Sequence, residues 1–523
     1  MSETHTLIDN HAQSRNRLAL FRDSFNRLLI PADDPDYIKI IIGVITLIAV
    51  ILRLYRINDP IGYDEAYTFI NFSSKSFKFI LADYHAPNNH ILNSLLIGIV
   101  YRVFGDHVWI ARVPAFIAGV LGVPAAFIAA RRFFTPQQSL AASAVLAITP
   151  NIIAESVNGR GYPLIILFSL LLTNFAGILV KNPSRLALAA YAVTGALGFY
   201  SIPIFLYPMA GISLWVVFTY LSNSETWHIK WSNLQSFLVA CTASGALTFL
   251  LYSPVIFFGT GLNSLVANDI VRSQTWNEFI ENLLIRSMTT WNSWTIQSNL
   301  VLLYIGIGMF FISVFLYRRV SNQRLPLQVF LLLGALIMVV LQRVAPLPRI
   351  WGYLEMFFLV YAAAGFVWVL QIILKSFSNE PMMGKILSSV ILFIALFRFI
   401  VIIIETQSPT ALADRTIAPE QLAAEYIAAH ITDKDTIIAP APVDLQTAYY
   451  LKLLGVQYEV FQLRGGVLEK ENALIILRSR GEGKIKTLDG LLEAFKLENA
   501  LNIAAGKMVF EYGPLQIISI PAN

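Results

Sequence analysis

Cysteine is nearly absent from this chain of 523 residues. The single one, Cys241, leaves no disulfide framework and no thiolate metal site, and its place inside an apolar run makes it a small core residue. Charged side chains are also few. They form 14% of the sequence against roughly 25% in soluble domains, which excludes an ordinary water-soluble fold. The net charge of +5 comes from short basic clusters between apolar runs, a pattern that sets membrane topology and offers no patch for nucleic acid. What remains is hydrophobic: 56% of residues, with a mean hydropathy of +0.62.

Windows of about 20 apolar residues, the length that crosses a hydrocarbon core, recur over 38–57, 107–130, 137–154, 162–180, 186–202, 204–221, 233–256, 299–317, 326–342, 350–374 and 386–404. They predict a polytopic α-helical membrane protein of about eleven transmembrane helices. The polar stretch 1–37, with Arg15, Arg17, Arg22 and Arg27, precedes an apolar run that has no small-residue cleavage site after it. It reads as a cytoplasmic tail ahead of a retained signal anchor. Short cytoplasmic loops collect Lys and Arg. If the shorter run Asn88–Gly105 lies along the membrane surface instead of crossing, then Arg131, Arg132, Lys181, Arg185, Lys230, Arg318, Arg319, Arg324, Lys375 and Lys385 all fall on the inner side. Loops 58–106, 155–161, 257–298 and 343–349 of a membrane module spanning 38–404 then face outward.

From 405 to 523 the pattern changes to that of a soluble domain. "PEQLAAEYIAAHI" and "VDLQTAYYLKLLG" have helical spacing, the second with Gly455 as its C-cap, while "DTIIAPAP", "ALIILRS" and "LQIISIP" read as strands. A small extracytoplasmic α/β domain, without a phosphate-binding glycine loop, is expected there.

The outward loops hold the candidate chemistry. "IGYDEAYTFI" sets Asp64 and Glu65 side by side among aromatic residues. Acidic residues favour a helix N-terminus, so a pair of caps is one reading. The other is a carboxylate partly desolvated by Tyr63, Tyr67 and Phe69, which makes it a better base. "DYHAPNNHILN" offers His85, Asn88, Asn89, His90 and Asn93. Its histidines lack zinc-ligand spacing, and its amide and imidazole groups suit hydrogen bonds to a polyhydroxyl or phosphate ligand as well as they suit a plain loop. "ESVNGRGYPL" brings Glu155, Arg160 and Tyr162 to the mouth of a span, as interfacial anchors or as ligand contacts. Arg349 follows two prolines and precedes Trp351 and Tyr353, a rigid setting for a bidentate grip on phosphate, with Arg343, Arg272 and Arg286 in outer loops beside it. Singly, each arginine reads as a snorkelling interface residue. Together with outward carboxylates they suggest a site for an anionic lipid headgroup.

In their order along the chain, "YDEAYTF" (63–69), "HAPNNHIL" (85–92), "FGDHVWIARVP" (104–114), "NGRGYPL" (158–164) and, more loosely, "PLPRIWGY" (346–353) resemble the GT-C membrane glycosyltransferases. The branch is that of protein O-mannosyltransferases and the aminoarabinose transferases that modify lipid A. The resemblance implies a sugar leaving a polyprenyl-phosphate donor for a hydroxyl of a lipid, glycan or protein acceptor, with inversion, on the extracytoplasmic face of a bacterial inner membrane. It makes Asp64 the residue that orients or deprotonates the acceptor, Glu65 its neighbour in the catalytic pair, Glu155 a second acidic group and Arg349 the donor-phosphate ligand. The expected site adds Arg272, Arg343 and Arg160 on the phosphate, and His85, Asn88, Asn89, His90, Glu155 and Tyr162 on substrate. "HAPNN" stands where the family often has His-Pro-Pro. Some members need a divalent cation and in others none is evident, so the metal stays open. A lipid-linked sugar flippase and a non-catalytic envelope-glycan assembly protein are the competing readings.

Overall fold

The computed structural model describes residue 28 and residues 34–267, 272–295, 300–377, 379–407, 418–456, 470–480 and 483–523; the N-terminal arginines lie outside them. The chain divides into two compact units. One comprises Met1–Arg53, Ile117–Ser156 and Gly161–Ile400, the other Leu54–Phe116, Val157–Arg160 and Val401–Asn523.

In the first unit the apolar runs are helical. Among the described residues of the whole chain, seven helices are long and apolar enough to cross a bilayer, or nine spans if each of two bent helix pairs is one. Two more of the expected runs form shorter helices, Arg185–Ser201 and Leu327–Gln342, of 17 and 16 residues. The bend of 63° between Pro136–Ile148 and Pro150–Ser156 has a sequence cause, since proline lacks an N–H and clashes with the preceding turn. The carbonyls of Ala147 and Leu146 at that break accept from the buried Arg53 guanidinium at 3.2 and 3.1 Å. A cation at a helix C-terminus meets both the orphan carbonyls and the negative end of the helix dipole. Helices Leu206–Ser222 and Leu327–Gln342 cross glycine on glycine: a Cβ at Gly334 would lie 2.5 Å from the Gly211 nitrogen. Such close backbone approach is how helices associate where lipid removes the hydrophobic drive.

The second unit joins two stretches far apart in sequence. Its sheet has the order β1 (Asp435–Ile438), β2 (Asn472–Arg478), β4 (Leu515–Pro521), β3 (Lys507–Tyr512), with β1 and β2 parallel and the other pairs antiparallel. The continuous apolar run of β2 follows from burial on both faces. Leu474 and Ile476 join one core, and Ala473, Ile475 and Leu477 join another with Leu491 and Leu492. The first of these cores is shared with the membrane-proximal loop: Ile61, Ala66, Phe69, Ile97, Ile110 and Ala111 pack with residues of helices Pro419–His430 and Val443–Leu453. Polar contacts reinforce it. Tyr450 Oη accepts from the Ile61 N–H at 3.1 Å, Gln446 donates to the Ile61 carbonyl at 2.8 Å, and Tyr449 Oη donates to the Val108 carbonyl at 2.9 Å. The helix Ile91–Phe104 has 14 residues, about 21 Å at 1.5 Å per residue, which is short of the ~30 Å hydrocarbon core.

This shared core makes a test. Burial of Ile61, Phe69, Ile97 and Ile110 at roughly 1.5–3 kcal/mol each is comparable with the whole margin of a folded domain, about 5–15 kcal/mol. A chain ending at residue 407 is therefore expected to lose the protease resistance of residues 54–116. A truncated chain whose loop resists proteolysis like the full-length protein would show that the C-terminal segment is only an accessory.

Candidate active site

The acidic pair opens the helix Tyr63–Thr68, and its two members face different partners. Glu65 is 5% exposed. Its Oε2 accepts from the Gly62 N–H at 2.8 Å, which caps the helix. Both oxygens receive the Arg112 guanidinium, Nε to Oε1 at 2.8 Å and Nη2 to Oε2 at 2.9 Å. Oε1 also accepts from the Gly159 N–H at 2.6 Å. Arg112 directs its other donors to the carbonyls of Ile57, Asp59 and Pro60 at 3.1, 2.5 and 2.8 Å. A buried ion pair persists when its remaining donors and acceptors are satisfied in this way. The sequence reading offered Glu65 as a member of the catalytic pair or as its support and a helix cap; these contacts make it the knot that joins residues 57–60, the acidic helix and the 158–160 turn.

Asp64, half-buried, accepts from Asn88 Nδ2 at 3.1 Å. Its carbonyl accepts from Thr68 Oγ1 at 2.9 Å and from Arg160 Nη1 at 3.3 Å. Arg160, itself buried, also reaches Thr68 Oγ1 at 3.1 Å, and its Nη2 lies 3.4 Å from His90 Nε2. Asn93 holds the same turn by donating to the Gly159 carbonyl at 3.0 Å. Gly159 has no room for a side chain, because a Cβ would come within 2.8 Å of the Ala111 oxygen. Asp64, Asn88, His90 and Arg160 thus form one cluster. Asn89 turns inward, donating to the Ile80 and Asp83 carbonyls at 3.0 and 2.7 Å, and is part of the loop's own scaffold. His85 is exposed, beside Asp83 and stacked on Phe72.

Tyr63, one residue before Asp64, lines a cleft of about 450 Å³ with Pro440, Pro442, Lys484, Ile485 and Phe495. Burial, then the charges of Asp444, Tyr67 and Asp64, push its phenol up to about 12. It stays protonated at neutral pH and can donate a hydrogen bond. Among the described residues no three His, Cys, Asp or Glu side chains gather as a metal cage.

The first unit holds the other expected residues. Arg349 is exposed in the turn Pro348–Trp351, with its guanidinium carbon 5.9 Å from the Tyr162 ring centroid, within cation–π range. Arg343 ends the helix Leu327–Gln342 in the left-handed region (φ 51°), 5.8 Å from the Trp276 ring. Its carbonyl accepts from the Gln274 N–H at 2.9 Å, so the segment that begins with the exposed Arg272 lies beside it. Arg286 donates to the Ala345 carbonyl. Glu155 is half-buried in the helix Pro150–Ser156. The four arginines expected on phosphate are divided: Arg349, Arg343 and Arg272 belong to the first unit, and Arg160 belongs with Asp64 in the second.

Residues 87–256, about a third of the chain, match the family model described as dolichyl-phosphate-mannose-protein mannosyltransferase. The structure matches that of ArnT from Cupriavidus metallidurans bound to undecaprenyl phosphate, with a TM-score of 0.56 at 12% identity, over 92% of this chain and 98% of that one. The chain has the fold of that structure. A looser likeness, with a TM-score of 0.44 at 10% identity over 84% of this chain and 69% of the other, joins it to the archaeal oligosaccharyltransferase AglB from Archaeoglobus fulgidus in complex with an inhibitory peptide and a dolichol-phosphate. No curated protein sequence matches. The stretch matched by the family model takes in Asn88, His90, Arg112 and Arg160 but begins after the acidic pair. Arg112 and Thr68 lie in the stretches "FGDHVWIARVP" and "YDEAYTF" that carried the resemblance, but the sequence reading gave neither residue a role. Arg112 had a signal, since an arginine at the start of an apolar span needs a buried partner and the preceding loop carries carboxylates.

Proposed function

We propose that the protein is an inverting glycosyltransferase that moves a sugar from a polyprenyl-phosphate donor to an acceptor hydroxyl on the extracytoplasmic side of a bacterial inner membrane. The convergence of Asp64, Asn88, His90 and Arg160 from three separate stretches carries this reading. It is supported by the GT-C fold, by the polyprenyl phosphate bound to ArnT, and, for the side of the membrane, by the placement of the basic clusters. In a single displacement the acceptor oxygen attacks the anomeric carbon and its proton passes to Asp64. The bond from that carbon to the phosphate oxygen breaks, and polyprenyl phosphate leaves with the electron pair. A carboxylate base on one side and cationic stabilisation of the departing phosphate on the other meet these needs. Arg349 is the proposed phosphate ligand, and the cleft beside Tyr63 is the proposed entry for a lipid, glycan or protein acceptor.

Detergent-solubilised protein is expected to release undecaprenyl phosphate from its sugar-linked form when acceptor is supplied, read by mass spectrometry. Movement of intact sugar-lipid between the leaflets of proteoliposomes, with no release, would make the protein a flippase. Arg349→Ala is expected to raise the donor KM roughly 10- to 100-fold, the equivalent of one lost charged hydrogen bond. Arg349→Lys, which keeps the charge without the planar fork, should recover part of that loss. An unchanged donor KM in Arg349→Ala would remove this residue from the phosphate site.

A further inference from the structure

The proposed transfer gives no part to Glu355. Glu355 lies in the span Pro348–Lys375, where an ionisable group is costly and is kept only for a purpose. Its Oε1 accepts from Asn151 Nδ2 at 3.0 Å, and Asn151 also donates to the Ser293 carbonyl at 3.3 Å. Asn151 follows Pro150 at the 63° bend, so the broken helix, the end of the helix Trp276–Thr295 and the first turns of the span Pro348–Lys375 meet at one point. There they enclose a partly open cavity of about 110 Å³, walled by Trp291, Trp294 and Phe358 as well as by Asn151 and Glu355. All of these residues belong to the first unit, as does Arg349.

From this cavity we infer a subsite for the sugar ring of the donor, a role for Glu355 and Asn151 that rests on the transfer reading. A saturated sugar ring has apolar C–H faces and a rim of hydroxyls. Indole and phenyl planes meet the faces, and a planar carboxylate beside a carboxamide meets the rim. An isoprene unit has no use for the carboxylate, whose desolvation it would not compensate.

The test is a binding titration of the full-length protein in nanodiscs, read by tryptophan fluorescence. The probes are undecaprenyl phosphate and undecaprenyl phosphate carrying glucose, mannose, galactose or arabinose. The wild type is expected to bind at least one sugar-linked lipid about tenfold or more tighter than the bare lipid. Glu355→Leu and Trp294→Leu should abolish that preference with the affinity for bare undecaprenyl phosphate unchanged, which also certifies the fold. Glu355→Gln, still able to accept from Asn151, should keep an intermediate preference. A wild type that does not discriminate, or variants that lose both lipids in parallel, would overturn the subsite. Discrimination without any transfer would leave the subsite standing and remove the enzymatic reading instead.

Discussion

Asp64→Asn is expected to yield a folded, membrane-inserted protein that transfers sugar roughly 100- to 10,000-fold more slowly, the range lost with a general base. The substitution is nearly isosteric. Its side-chain oxygen can still accept from Asn88, and the Asp64 carbonyl that receives Thr68 and Arg160 is untouched. What it removes is the capacity to take a proton from the acceptor. Asn88→Ala offers a graded comparison: the carboxylate remains but loses its 3.1 Å donor, so a smaller fall is expected, from a base less well aligned. Both effects are to be measured as kcat with donor and acceptor saturating, beside melting curves that certify the fold. Wild-type turnover by a stable Asp64→Asn protein would end the assignment of Asp64 as base and reopen the reading of both carboxylates as helix caps.

The helices were legible because a membrane span writes itself as an unbroken apolar length, but the run 137–154 was read as one span and the break before Pro150 was not seen. The strands β1, β2 and β4 were legible as short apolar runs. β3, "KMVFEY", was not, since four of its six residues are exposed on a sheet edge and no apolar run marks it. The joining of residues 54–116 to the C-terminal helices also escaped, for a different reason. Ile61 and Tyr450 are separated by 389 positions, and no local periodicity encodes a partner so distant. Within the site, the sequence favoured Asp64 as base and Glu65 as its support or a helix cap, but it held no local sign of the partner that fixes Glu65. Asp64 and Glu65 are neighbours with the same chemistry, and the position of Arg112, 47 residues beyond Glu65, separates their parts. Asn89 and Arg160 show the same limit. Both are polar residues in a loop that reads as ligand-binding, yet the first supports its own loop and the second is directed at Asp64, Thr68 and His90.

The second large effect is expected at that ion pair. Arg112→Met should destabilise the second unit by about 3–5 kcal/mol, because removing one partner leaves the other charge buried and uncompensated. The carbonyls of Ile57, Asp59 and Pro60 lose their donors in the same step. Glu65→Gln should cost less: its carboxamide oxygen can replace one acceptor for Gly62 or Gly159, but Arg112 is then buried without its counter-charge. The double variant is expected to be more stable than the sum of the two single changes by at least ~1 kcal/mol, the signature of groups that interact directly. Thermal unfolding, together with protease cleavage within residues 54–116, measures all three. An Arg112→Met protein that melts with the wild type would show that the knot is dispensable. The pair also bears on the chemistry of its neighbour. Two adjacent carboxylates would repel each other in a partly desolvated loop, and Asp64 would be a poor place to hold a negative charge. Arg112 neutralises Glu65 and fixes it inside, which supports the proposal that Asp64 is the member of the pair that acts on a substrate.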